Sequence, residues 1–365
     1  MRAKIVYKED KRKAMSEENF WERFNEGKID RRTFVRVASL LGGAAVFGLP
    51  LLGCQPAAPQ QGYEMKVAVP GSMLQVSGVY SGDNRKLFGQ EGITNALTEF
   101  AGGSDQVRAV VTGGYPLGVI SPTAAMSALE AGEAARLISG GYNASGVGFI
   151  VKADSAIKKP EDLKGKKFKI SYSRPNSNSH IVAFLGLQKL GIDSNDKNQV
   201  EFIAAGSTAD SWTAVNAGLV DVGWSTEPTI SVLESKKEGR LLWMTPDLVK
   251  EWVDVGIMTN QGFVDSHPKE LKSWMNAYVK ATDWVKNNYG EAAKDLAQVL
   301  GIDVSVAQLA MNKVPKELWS NAMPKKSMEV MAKASVDFKL LKAMPDWKVL
   351  VNQSFLPDNL KDPSY

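Results

Sequence analysis

Between an alternating run and a helical repeat, Ser173-Arg174-Pro175-Asn176-Ser177-Asn178-Ser179 gathers a guanidinium, three hydroxyls and two amides. The run before it, Phe168-Lys169-Ile170-Ser171-Tyr172, alternates apolar and polar as a half-buried strand does. From about Ser179 the spacing of Ile181, Phe184, Leu185, Leu187 and Leu190 is helical. A polar loop that leaves a strand and delivers a helix's first turn is a ready anion site. Free backbone N–H groups and the helix dipole both point into it. Arg174 either grips a carboxylate or sulfonate through two parallel hydrogen bonds or stands as a solvated rim arginine. Ser173, Asn176, Ser177, Asn178 and Ser179 are donors of the right size, and Ser177 or Asn178 alternatively caps the helix. His180 follows, either touching a ligand or taking a partly exposed helix position.

A second cluster is Thr226-Glu227-Pro228, preceded by Trp224. A carboxylate in a cleft is costly without a partner, so Glu227 there asks for a ligand ammonium or amine. The same three residues also read as a helix start, with Thr226 as cap, Glu227 in the favoured first turn and Pro228 pre-set for helix. Trp224, Tyr115 and Tyr142 either wall a small organic ligand or fill the core; Trp224, nearest a ligand loop, is preferred for the cleft. Enzyme chemistry finds little purchase. The chain has two histidines and one cysteine, and no zinc-ligand set, phosphate-binding loop or strand–GxSxG–helix. The expectation is a non-enzyme without cofactor or metal.

In chain order, Ser155–Gly165 reads as a turn and short helix closed by Gly165, then strand, polar loop and helix. Further on comes Ala214-Val215-Asn216-Ala217-Gly218-Leu219-Val220-Asp221-Val222, ahead of Thr226-Glu227-Pro228. This order and spacing, along roughly Met65 to Val314, resembles the periplasmic solute-binding proteins of the nitrate/sulfonate/taurine type, which also include thiamine-pyrimidine binders. The resemblance implies an α/β, two-lobed type II periplasmic binding protein with a hinge and a ligand cleft. It implies a small organic or inorganic anion as ligand and an ABC importer permease as partner. Carried over by position, the ligand-binding set is Ser72, Ser121, Thr123, Ser173, Arg174, Asn176, Ser177, Asn178, Ser179, Trp224, Thr226 and Glu227. Pro116 stands where the family usually has an acidic residue. Some relatives make thiamine pyrimidine in a cysteine- and iron-dependent reaction, and that cysteine motif is absent here. The competing readings are an exported enzyme on the same scaffold and a ligand-sensing module for a membrane partner.

The leader carries separate information. Asp30-Arg31-Arg32-Thr33-Phe34-Val35-Arg36 precedes the uncharged stretch Val37 to Gly53, short for a permanent span and broken by Pro50. It resembles a twin-arginine export signal, from whose commonest form Asp30 and Val35 depart; an ordinary secretory signal is the alternative. Leu51-Leu52-Gly53-Cys54 resembles a lipobox, which implies lipidation at Cys54, the only cysteine, and hence no intramolecular disulfide. The product would be a membrane-anchored monomer in the periplasm or on the cell surface. Residues 54–64 form the tether. After residue 53 the chain holds 33 basic and 33 acidic residues, so the formal charge of +4 resides in the leader and gives no reason to expect nucleic acid.

The mature chain divides on this reading into lobe 1, residues 65–150 and 255–365, and lobe 2, residues 151–254. Met65–Pro70, Val107–Val111, Val200–Ala204 and Val255–Met258 read as strands. The segment beyond Thr94 reads as helical or irregular, and Val147–Val151 carries the chain into the second lobe. Gly113–Ser121 parallels Gly218–Thr226, each following a strand–helix unit and ending in a hydroxyl residue. From Pro268, Leu271, Trp274, Met275, Tyr278, Val279 and Val285 share a helical face, with Trp274 and Trp284 as core. The segment after Val314 is a wrapping extension.

Overall fold

In the computed structural model, residues 62–71 and 73–365 are described, together with two short antiparallel strands, Ile5–Val6 and Ala14–Met15. The rest of the leader, Cys54, the tether to residue 61 and Ser72 lie outside the described residues. The strands in chain order are β1 Tyr63–Pro70, β2 Ile93–Phe100, β3 Leu117–Ile120, β4 Ala135–Tyr142, β5 Val147–Lys152, β6 Phe168–Tyr172, β7 Val200–Ala204, β8 Gly223–Thr226, β9 Gly239–Met244 and β10 Val255–Asn260. The helices that shape the site are α1 Gly103–Val111, α2 Pro122–Glu130, α3 Asn178–Lys189, α4 Thr208–Asn216, α5 Pro268–Asn287 and α6 Lys325–Asp337.

Two sheets form. The first runs β2-β1-β3-β10-β4, with β1 parallel to β2 and β3, and β10 antiparallel to β3 and β4. In the second, β5 lies between β8 and β9, antiparallel to both, while β6 pairs with β7 in parallel and reaches this group through the Ile170–Val222 bridge. Strand β5 thus has a partner on each side, and the chain passes between sheets just before it, at residues 143–146. It returns over residues 245–254, ahead of β10. A third link comes from the C-terminal extension: α6 packs on both α2 and α3, and Phe338 stacks on Phe184 at 5.0 Å.

The α5 face is as its spacing demands, with Leu271, Trp274, Met275, Tyr278 and Val285 buried. Val279 and Trp284 are half-buried, and the Arg85 guanidinium lies 4.6 Å over the Trp284 ring. Two local expectations fail. Val107–Val111 is the end of helix α1, not a strand. Its β-branched residues suggested extension, but Val107, Val110 and Val111 stand at helical spacing, and that spacing is what buries Val107 and Val110. The segment around Thr94 is strand β2, paired with β1 from Tyr63–Ile93 to Pro70–Phe100. Its alternation was hidden because the inward position between Ile93 and Leu97 is polar. Asn95 accepts from Trp274 Nε1–H at 2.8 Å and donates to Asp83 at 2.9 Å. Strand β1 also begins at Tyr63, two residues inside the expected tether. The internal parallel holds as geometry. Gly113 (φ 78°) and Gly218 (φ 72°) both take the left-handed conformation just past a helix end, ahead of β3 and β8.

Candidate site between the two sheets

A cavity of about 220 Å³ opens between the sheets, and four helices begin at its wall. The N-terminal cap residues Gly102 of α1, Ser121 of α2, Ser177 of α3 and Ser207 of α4 all line it. Two helices belong to each sheet. Each N-terminus presents backbone N–H groups without intrahelical partners and the positive end of its dipole. Four of them around one cavity give a field that favours negative charge or electron-rich oxygen, with no lysine or arginine required.

Hydroxyls reinforce that field on the α3 side. Ser173, Ser177 and Ser179 all line the cavity, and their oxygens lie 2.9, 2.9 and 3.1 Å apart in a closed triangle. The local sequence explains it. β6 ends at Tyr172, the Ser173 N–H donates to Ser179 Oγ at 2.9 Å, and Ser177 caps α3 by accepting from the His180 N–H. Trp224 on β8 also lines the cavity, and its buried Nε1–H has no partner among the described residues. Ser121 also lines the cavity, with Thr123 Oγ1 3.0 Å from its hydroxyl but behind it.

Two carboxylate residues belong to the wall, the exposed Glu99 and Asp254. Asp254, on the return segment, is buried; Gly146 N–H donates to its Oδ2 at 2.8 Å, and Asn178 Nδ2 donates to its Oδ1. Asn178 is itself fixed, accepting from Trp252 Nε1–H at 2.9 Å. The Asp254 N–H donates to Tyr142 O at 2.9 Å, so this residue ties both inter-sheet segments to the start of α3. Only glycine fits at 146. A Cβ there would fall 1.6 Å from Gln75 Nε2 and 2.8 Å from Asp254 Oδ2. Burial without a countercharge raises the Asp254 pKa to about 7.

Several expected residues stand elsewhere. Glu227 is buried away from the cavity, its carboxylate taken by Lys313 Nζ at 3.0 Å and the Ser231 N–H at 3.1 Å. It therefore needs no ligand amine: the sequence hid a lysine that lies far along the chain. Thr226 is buried beside it, off the cavity. Arg174 sits at the rim, half-buried, paired with Asp105 of α1 at 3.4 Å and donating to Ser173 O at 3.3 Å. Its stem rests on Gly102, where a Cβ would meet Arg174 Cγ at 2.6 Å, and Ser104 Oγ donates to Pro175 O at 3.1 Å beside it. The arginine thus bridges the sheets at the mouth and does not reach inside. Asn176 is a turn residue at φ 60°, donating its N–H to His180 Nδ1 at 3.3 Å. His180 stacks on Tyr172 at 4.1 Å, and burial lowers its pKa to about 4. Tyr115 packs on Phe100 and Tyr142 on Trp319, as core.

With this geometry in view, a family model described as NMT1/THI5 like matches residues 74–292. The chain belongs to the NMT1/THI5-like family. Among solved structures, this family member resembles the alkanesulfonate-binding protein SsuA from Xanthomonas axonopodis pv. citri bound to MOPS, at 18% identity over 80% of this chain and 96% of that one, TM-score 0.66. It also resembles the periplasmic nitrate-binding protein NrtA from Synechocystis PCC 6803, at 13% identity over 81% and 87%, TM-score 0.67. A third is the ligand-binding component of an ABC-type import system from Staphylococcus aureus with zinc bound, at 12% identity over 80% and 97%, TM-score 0.70. The curated proteins contain no match by sequence. The NMT1/THI5-like chain thus has the two-lobed type II periplasmic binding protein fold. Among the wall residues that sequence reasoning missed are Asp254, Glu99, Gln106, Ser207, Thr208 and Gly102. Ser207 carried a signal, a serine three residues before Asp210 in a capping box, whereas Asp254 had none.

Proposed function

We propose that this protein is an extracytoplasmic solute-binding protein that captures a small anion, or an organic molecule with an anionic head, and delivers it to an ABC-type importer. The observation that carries the reading is the convergence of four helix N-termini, two from each sheet, on one cavity with a serine triangle. Such a site replaces the hydration of an anion with fixed dipoles, and does so only when both sheets contribute. Binding would therefore favour the closed arrangement of two lobes that bend at 143–146 and 245–254, a boundary a few residues before the expected 150/151 because β5 pairs within the second sheet. The likeness to an alkanesulfonate-binding protein, a nitrate-binding protein and a component of an ABC-type import system supports the same direction. Export and anchoring rest on the leader and on Cys54, and loss of fatty-acid labelling in Cys54→Ala is the check on the anchor.

The test is a thermal-shift screen followed by calorimetry with nitrate, alkanesulfonates, taurine, aromatic acids and pyrimidines. At least one anionic compound should bind without being consumed. Turnover of the bound compound would support an enzyme instead, and failure of every anion to bind would remove the reading.

A further inference from the structure

Besides the two chain passages and the Arg174 pair, Lys313 ties the sheets together. It stands at the C-terminal end of the helix Val304–Asn312. That helix packs on the helix Tyr289–Leu300, which packs in turn on the helix Ser77–Asn84 beyond β1, and the Tyr289 hydroxyl donates to Val314 O at 3.1 Å. Lys313 is thus carried by the first sheet. Among the described residues, all of its ammonium bonds nevertheless go to the second. Nζ donates to Glu227 Oε1 at 3.0 Å, Ser231 Oγ at 2.9 Å and Glu234 Oε2 at 2.8 Å. These acceptors stand at i, i+4 and i+7, along one face of the helix Thr229–Ser235 and the residues that lead into it. The helix itself packs on β8 and β9. An ammonium has three donors, and all of them are matched here.

Glu227 is buried, and its other oxygen accepts the Ser231 N–H at 3.1 Å. Parting the sheets at this point takes away its countercharge, which is costly for a buried carboxylate. The cluster adjoins the cavity from both sheets without lining it. Leu74 N–H donates to Glu227 O at 2.8 Å. Met73, the neighbour of Leu74, and Trp224, just before Thr226 and Glu227 on β8, both line the cavity.

We propose that Lys313 is a positioning residue outside the cavity, forming with Glu227, Ser231 and Glu234 a latch that holds the two sheets in the binding arrangement before a ligand arrives. The latch stands on its own geometry, while its effect on affinity rests on the solute-binding reading above. A site that is assembled for only part of the time binds more weakly by that fraction. The latch therefore raises the affinity for every ligand alike and does not choose among them.

Small-angle scattering of the full chain without ligand tests the latch. Lys313→Met keeps an unbranched stem without the charge, and should give a larger radius of gyration than the natural protein. Lys313→Arg restores the charge and should give the natural curve. If Lys313→Met fails to fold, Glu234→Gln removes the half-exposed member of the cluster and should open the particle in the same direction. An unchanged curve in the variant that folds, or equal opening in Lys313→Arg, overturns the latch. Calorimetry with nitrate and ethanesulfonate as probes reads the consequence: Lys313→Met should weaken both by about fivefold or more and leave their ratio within about twofold of the natural one. A ratio that shifts further would overturn the positioning role. Failure of both probes to bind the natural protein counts against the solute-binding reading and not against the latch, which scattering decides.

Discussion

Replacing Asp254 by asparagine without ligand present isolates what the buried charge does to the fold. Its folded-state pKa of about 7 stands above the ordinary 3.8. A raised carboxyl favours the protonated form, so its contribution to stability is whole below about pH 4 and is lost as pH rises through about 7. At about 1.4 kcal/mol per pH unit, the loss between pH 5 and pH 8 is roughly 2–3 kcal/mol. The substituted amide would not titrate. It would also lose something, because an amide has one acceptor oxygen where the carboxylate serves both Gly146 and Asn178. One unsatisfied buried donor costs about 1–3 kcal/mol at every pH, so the absolute difference at one pH decides nothing. The criterion is the change in the difference. In urea melts at pH 5 and pH 8, the variant should gain roughly 2–3 kcal/mol on the natural protein between the two conditions. A difference that stays constant between them would refute the reasoning, since Asp254 would then be ionised or protonated alike in both states.

His180 should act in the opposite sense. Burial lowers its pKa from 6.5 to about 4, so its contribution is present above about pH 6.5 and is lost as pH falls towards 4. Below pH 6, His180→Phe, which keeps a ring on Tyr172 but loses the Asn176 contact, should flatten that acid limb by roughly 2 kcal/mol in the same melts; an unchanged limb counts against a buried neutral imidazole. Arg174→Ala should change stability without ligand by less than about 1 kcal/mol, since its pair with Asp105 is half-exposed; a loss of several kcal/mol would make Arg174 structural. Small-angle scattering of that variant without ligand should show a more open particle, because Arg174 bridges α1 and the loop before α3; an unchanged curve would deny it that role.

What depends on neighbours along the chain could be read without the fold. The β6–loop–α3 unit was legible because strand alternation, a polar loop and a helical stripe are local patterns, and Ser173, Ser177, Asn178 and Ser179 line the cavity that this unit borders. The α5 face and the paired glycines at 113 and 218 were legible for the same reason. Which polar residues have partners was settled only by the folded chain. Glu227 looked like a ligand carboxylate until Lys313, 86 positions away, proved to neutralise it. Strand β2 was hidden because Asn95 is satisfied by Trp274, 179 positions on. Asp254 looked like any acidic residue near a strand, and only the passage of two separate segments past α3 encloses it beside Gly146 and Asn178. A sequence displays donors and acceptors one at a time. Whether a charge is solvated, paired or left bare in a cavity depends on groups brought together across the fold, and burial sets the energy of each outcome.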